Sequence, residues 1–274
     1  MVTAEEERLL EPYFAQCEPS EIAIERLDQI CAQAGVSLRK VEWFAIRRNF
    51  IPHRYQRNLG IFFARGQLKL LESTAVMAGL GGLGGQLLEQ LGRAGVGKII
   101  AVEPDVFDET NLNRQLLSNE SNLGTKKVDE AKKHLDRINR AVEFVGFQCR
   151  LEELPDDVWE KADLVFDCLD SIGDRLVLAR KCSAANCTLV HGAVAGWYGE
   201  VGIVRPGSKM LEKHYQSQRE GLEKELGTPV FTAAAAASLM AAKGCRILMD
   251  KCQSKQSTMH FFDLLADDWE NIRL

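Results

Sequence analysis

Residues 76–85 read V-M-A-G-L-G-G-L-G-G, and residues 98–103 read K-I-I-A-V-E. With the amphipathic stretch between them, they predict a strand, a glycine-rich turn, a helix and a second strand that ends on an acid. Gly79, Gly81 and Gly84 occupy the G-x-G-x-x-G positions, with Gly82 inside the same turn. In such a turn glycine permits the tight bend, admits phosphate oxygens against bare backbone and lets helix pack on strand. The helix N-terminus then faces an anion. Glu103 lies roughly 20 residues beyond the last fingerprint glycine, where an acid at a strand end accepts hydrogen bonds from ribose hydroxyls. A nucleotide site is the first expectation. The fingerprint alone does not choose between a nicotinamide, a flavin and an adenine nucleotide.

The residues after Glu103 narrow the choice. The chain continues P-D-V-F-D-E-T-N-L-N-R-Q-L over 104–116 and K-K-V-D-E-A over 126–131. Arg114 and Lys127 are candidates to neutralise a triphosphate, because a guanidinium grips phosphate oxygens as a fork and an ammonium acts as a mobile point charge. The alternative for each is a solvated surface charge. Asn111 and Asn113 offer amide groups for phosphate or ribose, or else turn chemistry. An oxidoreductase would need a catalytic His or Tyr beside the nicotinamide, and the five histidines supply no such constellation.

Composition limits the class. A chain of 274 residues can bury a full core. Its net charge of -5 argues against a nucleic-acid platform. The longest apolar run, Phe231 to Ala242, is too short to span a bilayer and reads as a buried helix. The opening residues are acidic rather than basic and then apolar, so a cytoplasmic protein is expected. Eight cysteines (Cys17, Cys31, Cys149, Cys168, Cys182, Cys187, Cys245, Cys252) are scattered, none of them at C-x-x-C spacing. They predict small buried hydrophobes rather than a zinc site.

Periodicity divides the chain into an N-terminal helical extension, 1–52, and a larger unit, 53–274. The extension reads as three helices, with Ser20 as an N-cap and Gly35 as a helix stop. A helix follows to about Leu71. Strands are then expected near 75–79, 98–103, 142–148, 163–168 and 187–191, alternating with helices near 83–94, 124–139 and 172–186. Alternation of this kind implies an α/β, Rossmann-like, mostly parallel sheet with helices on both faces. A strand at 199–204, a helix from Thr232 to Lys251 and a strand over S-T-M-H-F-F-D-L complete a C-terminal antiparallel extension. Asp170 falls at the end of a strand, at the carboxyl edge where open α/β sheets bind ligands. Asp167 reads as support for the turn, and N-capping of the next helix is the competing use of Asp170.

The series R-Y-Q-R-N (54–58), G-L-G-G-L-G (79–84), E-P-D (103–105), N-L-N-R-Q (111–115), K-K-V (126–128) and D-C-L-D (167–170) resembles the ThiF/MoeB/HesA branch of the ubiquitin-activating enzyme superfamily. The resemblance runs from about Arg54 to about Lys251. It implies an ATP-binding adenylation domain that activates the C-terminal glycine carboxylate of a small ubiquitin-fold sulfur carrier ending in Gly-Gly. The implied ligands are ATP and Mg²⁺. Asp170 would be the magnesium-associated aspartate, Asp105 would join the nucleotide-binding residues, and Arg57 would reach in trans into the partner's site of a homodimer. It also implies a crossover segment, here 206–228, that closes over the carrier's tail. The small residues Gly192, Ala193, Ala195 and Gly196 read either as a narrow slot for a Gly-Gly tail or as close backbone packing.

Two departures from the family pattern are visible. The paired C-x-x-C zinc ligands of many relatives are missing, so no zinc is expected. The crossover segment also lacks the cysteine that relatives use for a covalent step. The implied product is therefore an acyl-adenylate passed to an external sulfur donor. Two alternatives keep the fold: activation of a carboxylate on RNA, as in the tRNA threonylcarbamoyl-adenosine dehydratases, and a degenerate non-catalytic scaffold.

Overall fold

The computed structural model describes residues 2–15, 20–216, 221–252 and 256–273. Cys17 and residues 217–220 of the crossover segment lie outside them. The described chain runs α1 (Ala4–Leu10), β1 (Glu21–Ile22), α2 (Ile24–Ala34), α3 (Leu38–Arg47), β2 (Ile51–Pro52), a 3₁₀ turn (His53–Asn58) and α4 (Leu59–Glu72). The nucleotide-type unit follows as β3 (Thr74–Ala78), α5 (Gly82–Ala94), β4 (Lys98–Val102), α6 (Lys127–Ile138), β5 (Glu143–Phe147), α7 (Asp156–Glu160), β6 (Leu164–Asp167) and α8 (Ile172–Ala184). It ends with β7 (Leu189–Ala195), β8 (Tyr198–Val204), α9 (Met210–His214), α10 (Glu223–Leu226), α11 (Val230–Leu248), β9 (Thr258–Asp263) and β10 (Asp268–Arg273).

One eight-stranded sheet carries this unit, in the order β10-β9-β8-β7-β6-β3-β4-β5. The five strands from β7 to β5 are parallel, and β8, β9 and β10 add to the β7 edge antiparallel. The expected C-terminal antiparallel extension is thus continuous with the main sheet. Period-2 alternation explains why both faces are covered. Ala75, Met77, Ile99, Ala101, Leu164 and Phe166 point to one side, where α5, α6 and α11 supply Leu87, Leu88, Leu135, Ala236 and Met240. Val76, Ala78, Ile100, Val102 and Val165 point to the other, onto Val158, Ile172, Leu178 and Leu211.

The expected buried helix is α11, which at 19 residues extends beyond the apolar run and is, by length and composition alone, long and apolar enough to cross a bilayer. Here it lies against α5, β7 and β8, with Ala233, Ala236, Ala237 and Met240 buried.

The N-terminal residues form a core of their own from Leu10, Phe14, Leu27, Ile30, Val41, Phe44 and Phe50. One sequence expectation here needs correction. Ala23 rather than Ser20 stands at the N-cap of α2, because a short strand, β1, pairs with β2 and occupies the chain just before it. Gly35 does end α2, in the left-handed conformation. Strand β10 was not expected, since residues 268–272 are exposed and show no buried face in the sequence pattern.

Leu88 is fully buried between the sheet and its neighbouring helices. Leu88→Ala should cost about 2–5 kcal/mol in urea unfolding. Leu265→Ala, at a side chain 69% exposed, should stay within about 0.5 kcal/mol of the parent.

Candidate functional site

Strand order creates the site. β3 lies between β6 and β4, so crossovers leave it in opposite directions and a crevice opens at the carboxyl ends of the strands. The glycine turn sits in that crevice. Gly79 has φ +96°, and a Cβ there would stand 2.7 Å from the carbonyl oxygen of Cys168. A Cβ at Gly84 would come within 2.1 Å of the carbonyl oxygen of Gly79. These two contacts press the turn against the start of α5 on one side and against the D-C-L-D loop on the other. Only glycine meets both.

A cleft of about 360 Å³ opens above the turn, lined by Gly79, Gly81, Gly82, Glu103, Asp105, Arg114, Lys127 and Asp170 among others. Residues from five separate motifs therefore share one cavity. No side chain caps α5, so its first amide groups, at residues whose backbone lines the cleft, have no side-chain acceptor. Glu103 is buried, and its two carboxylate oxygens accept from the backbone amides of Leu80 (2.7 Å) and Asp105 (3.0 Å). It thus fixes the glycine turn as well as facing the cleft. Lys127, at the N-terminus of α6, is buried and holds its ammonium 3.2 Å from Asp105 and 3.7 Å from Glu103. Arg114 donates to the carbonyl oxygen of Thr110 and to Asn113 Oδ1, each at 2.8 Å.

Asp170 is exposed on the loop after β6 and does not cap α8. That position belongs to Ser171, whose hydroxyl accepts from the amide of Asp174 at 3.4 Å. Asp167 does support the turn, accepting from the amide of Leu169 at 3.1 Å.

Other predicted residues lie elsewhere. Gly84 is a packing residue and not part of the cleft wall. Asn111 is buried, and its side chain accepts from the Asp108 amide in a reciprocal cap of the turn at 109–111. Asn113 reaches the carbonyl oxygen of Thr228 and braces Arg114. The two asparagines act on the loop that carries Arg114, and neither faces the cleft. Arg57 is exposed on the 3₁₀ turn, away from this chain's own cleft.

The sequence reading missed Gln115, Arg150, Asp174, Arg175 and Glu223, which also line the cavity. Gln115 had a signal: it is next to Arg114 in N-L-N-R-Q. Its side chain is buried beside Gly81, with Oε1 lacking a hydrogen-bond partner. An unpaired buried acceptor at a cleft wall costs free energy unless a ligand satisfies it.

A second cavity of about 270 Å³ adjoins the first, sharing Arg175, Val194 and Glu223. Ala193, Ala195, Gly199, Tyr198, Leu222 and Phe261 give it small and apolar walls. Beneath both runs a buried polar chain. His191 stands 2.7 Å (Nδ1) from Asp167 and 3.2 Å (Nε2) from Glu200, and Glu200 also meets His214 at 2.8 Å. Tyr215 donates to Glu200, and the Arg175 guanidinium donates to Tyr215 at 3.1 Å and to the carbonyl oxygen of Leu169. Arg175 thus links the Asp170 loop to the α9 end of the crossover segment.

Burial opposes the charge of Glu200, but its bonds with His191 and His214 outweigh that and hold its carboxyl well below the usual range. Burial likewise opposes protonation of His191, and the bonds to Asp167 and Glu200 reverse it, so that its pKa is raised. All described cysteines are free thiols. Burial pushes Cys187 and Cys245 up to about 11 and raises Cys168 and Cys182 further still. Cys149, at the cleft wall, is raised by burial and by Glu153.

The opposed shifts set a pH window. The Glu200 contribution to stability is present above its unfolded value near 4.5 and is lost as pH falls. The His191 contribution is present below 6.5 and is lost as pH rises through its higher folded value. Thermal unfolding from pH 4 to 9 should therefore show this network's support greatest between about 4.5 and 6.5, and Glu200→Gln should flatten that maximum. Gly84→Ala should lower stability by more than about 2 kcal/mol in urea unfolding, because the obstructing atom is backbone and cannot swing away.

Comparison with known proteins places the chain. The ThiF family model matches residues 55–274. The sulfur carrier protein ThiS adenylyltransferase of Escherichia coli (strain K12) is 32% identical over 161 residues, 58% of this chain and 64% of that protein. The adenylyltransferase and sulfurtransferase MOCS3 of Mus musculus is 35% identical over 153 residues, 55% of this chain and 33% of that protein. The chain thus spans between a third and two thirds of the length of these curated relatives. The Haloferax volcanii SAMP-activating enzyme E1 is 25% identical over 212 residues, 76% of this chain and 78% of that protein. Among solved structures, E. coli MccB with ATP superposes at TM-score 0.66 and 18% identity, over 90% of this chain and 82% of that one, a likeness of fold. With the glycine turn, the convergent charges and the strand order on one side and this family match on the other, the chain belongs to the ThiF family.

Proposed function

We propose that this protein adenylates the C-terminal glycine carboxylate of a small ubiquitin-fold sulfur carrier of the ThiS or MoaD kind, using Mg-ATP and releasing pyrophosphate. The observation that carries the reading is the meeting of Arg114, Lys127 and Asp170 with the Gly79–Gly82 turn in one cleft. Relatives named for adenylyl transfer to such carriers support the same choice.

The residues fit the substrates. The uncapped start of α5 and the bare glycine backbone accept phosphate oxygens. Lys127 and Arg114 offset triphosphate charge, and the Asp105 and Glu103 carboxylates orient Lys127 until the nucleotide arrives. Gln115 supplies an unused acceptor to the nucleotide. Asp170 would hold the magnesium, which would offset charge on the phosphate oxygens.

The carrier's extended tail enters through the apolar second cavity, whose small walls at Ala193, Ala195 and Gly199 suit Gly-Gly. Its terminal carboxylate oxygen attacks the α-phosphorus. The bond from that phosphorus to the bridging oxygen breaks, and pyrophosphate leaves with the electron pair. The described thiols are raised by burial where a shift is resolved, so the acyl-adenylate passes to an external sulfur donor. In a homodimer, Arg57 serves the partner's cleft. The reaction is set in the cytoplasm.

Purified protein should exchange labelled pyrophosphate into ATP only when such a carrier is added. Asp170→Ala, Arg114→Ala and Lys127→Ala should each lower the exchange by at least about 100-fold. Exchange that ignores the carrier, or survives all three substitutions, removes the assignment. Exchange that depends on tRNA instead would select the dehydratase-like alternative.

A further inference from the structure

Among the contacts that join the N-terminal helices to the rest of the protein is one buried carboxylate. Glu42, on α3, is fully enclosed, an unusual place for an acid. Its Oε2 accepts from the hydroxyl of Tyr55 at 3.0 Å, and its Oε1 lies 3.3 Å from Arg54 Nε in an ion pair without hydrogen-bond geometry. Tyr55 is itself fully buried and accepts from Asn139 Nδ2 at 3.0 Å. Asn139 also donates to the carbonyl oxygen of Gly92 at 2.9 Å and accepts from Arg54. The ring of Tyr55 packs so closely on Gly95 that a Cβ there would stand 2.7 Å from it.

The connections have a direction. Gly95 and Asn139 cap the C-termini of α5 and α6. The N-termini of those same helices are the glycine turn and Lys127, both in the cleft. The 53–58 turn, clamped between Glu42 and these two helix ends, carries Arg57 two residues after Tyr55.

We propose that Glu42 is a positioning residue, by which the N-terminal extension locks the Arg54–Asn58 turn, and with it Arg57, against the two helices that open onto the cleft. The inference rests on the role given to Arg57 above. The lock requires the ionised carboxylate, because Arg54 is held by its charge. Burial raises Glu42 to about 7 against the pull of Arg54 and Tyr55. The other charged or titratable groups facing it are Asp28 and Cys31 of α2 and Arg140 after α6, with Arg140 already paired to Asp28 at 2.9 Å. Since its folded value is raised from 4.5, protonation of Glu42 favours the folded state, with that contribution lost as pH rises to about 7. Stability and positioning therefore respond oppositely to acid, and a purely structural Glu42 would not separate them.

The test compares the full chain with Glu42→Gln by amide hydrogen exchange of residues 53–59, alongside carrier-dependent pyrophosphate exchange from pH 5.5 to 8.5. The variant should exchange about tenfold faster in that segment at pH 8, with the sheet unchanged and thermal stability equal to the parent or higher. The parent should lose pyrophosphate exchange on the acid side of about pH 7, and the variant should be slow throughout with that limb absent. Unchanged protection of 53–59 overturns the proposal, as does an acid limb that persists in the variant. If Glu42→Gln does not fold, Arg54→Gln breaks the same pair and must loosen the same segment. Loosening in the variant when the parent shows no pyrophosphate exchange supports the lock and removes the assigned reaction instead.

Discussion

The contact between the glycine turn and the loop after β6 is the constraint on which the site depends. Ala78 and Asp167 are register partners at the ends of adjacent parallel strands, so the next residues on each chain, Gly79 and Cys168, must pass within van der Waals reach. A side chain at Gly79 would meet the carbonyl oxygen of Cys168 and push the two loops apart. With glycine in place, the start of α5 and Asp170 share one cavity although they are far apart in sequence. The same register lets Asp167 hold both the turn and His191, so the floor of the site and the crossover segment are braced by one carboxylate.

Charge is distributed so that burial and pairing work against each other under control. Lys127 is nearly inaccessible and its ammonium pairs with two carboxylates. Glu200 is enclosed among two histidines and a tyrosine, and hydrogen bonds outweigh the desolvation it suffers. Glu42 is the opposite case, where desolvation wins and the carboxyl moves up toward neutrality. Buried thiols follow the same rule and are pushed away from the thiolate form.

The two cavities give the protein a polar chamber joined to an apolar one, with Arg175 at the boundary. Arg175 holds the carbonyl oxygen of Leu169 on one side and the Tyr215 hydroxyl on the other. Arg175 thereby ties the α9 end of the crossover segment to the loop bearing Asp170. Neither Arg175 nor Tyr215 stood out in the sequence, since a lone arginine on a helix and a tyrosine in a charged loop look like ordinary surface residues.

What the sequence determined by itself was local. Period-2 runs gave β3 through β7, period-3.6 runs gave α5, α6, α8 and α11, and the glycine spacing gave the turn, because each of these is a preference of residues a few positions apart. The meeting of Arg114, Lys127 and Asp170 beside the glycine turn was an expectation from spaced motifs, and the structure brings the three to one cleft. Tertiary structure decided which strands are neighbours, and so which loops meet. It turned Asn111 inward to cap its own loop, made Gly84 a packing residue and aimed Gln115 at the cleft. It also paired Glu42 with Arg54 and Tyr55 across the joint of the extension. Long-range register and burial have no signature in a short window of sequence, because they arise only when distant segments compete for the same neighbours.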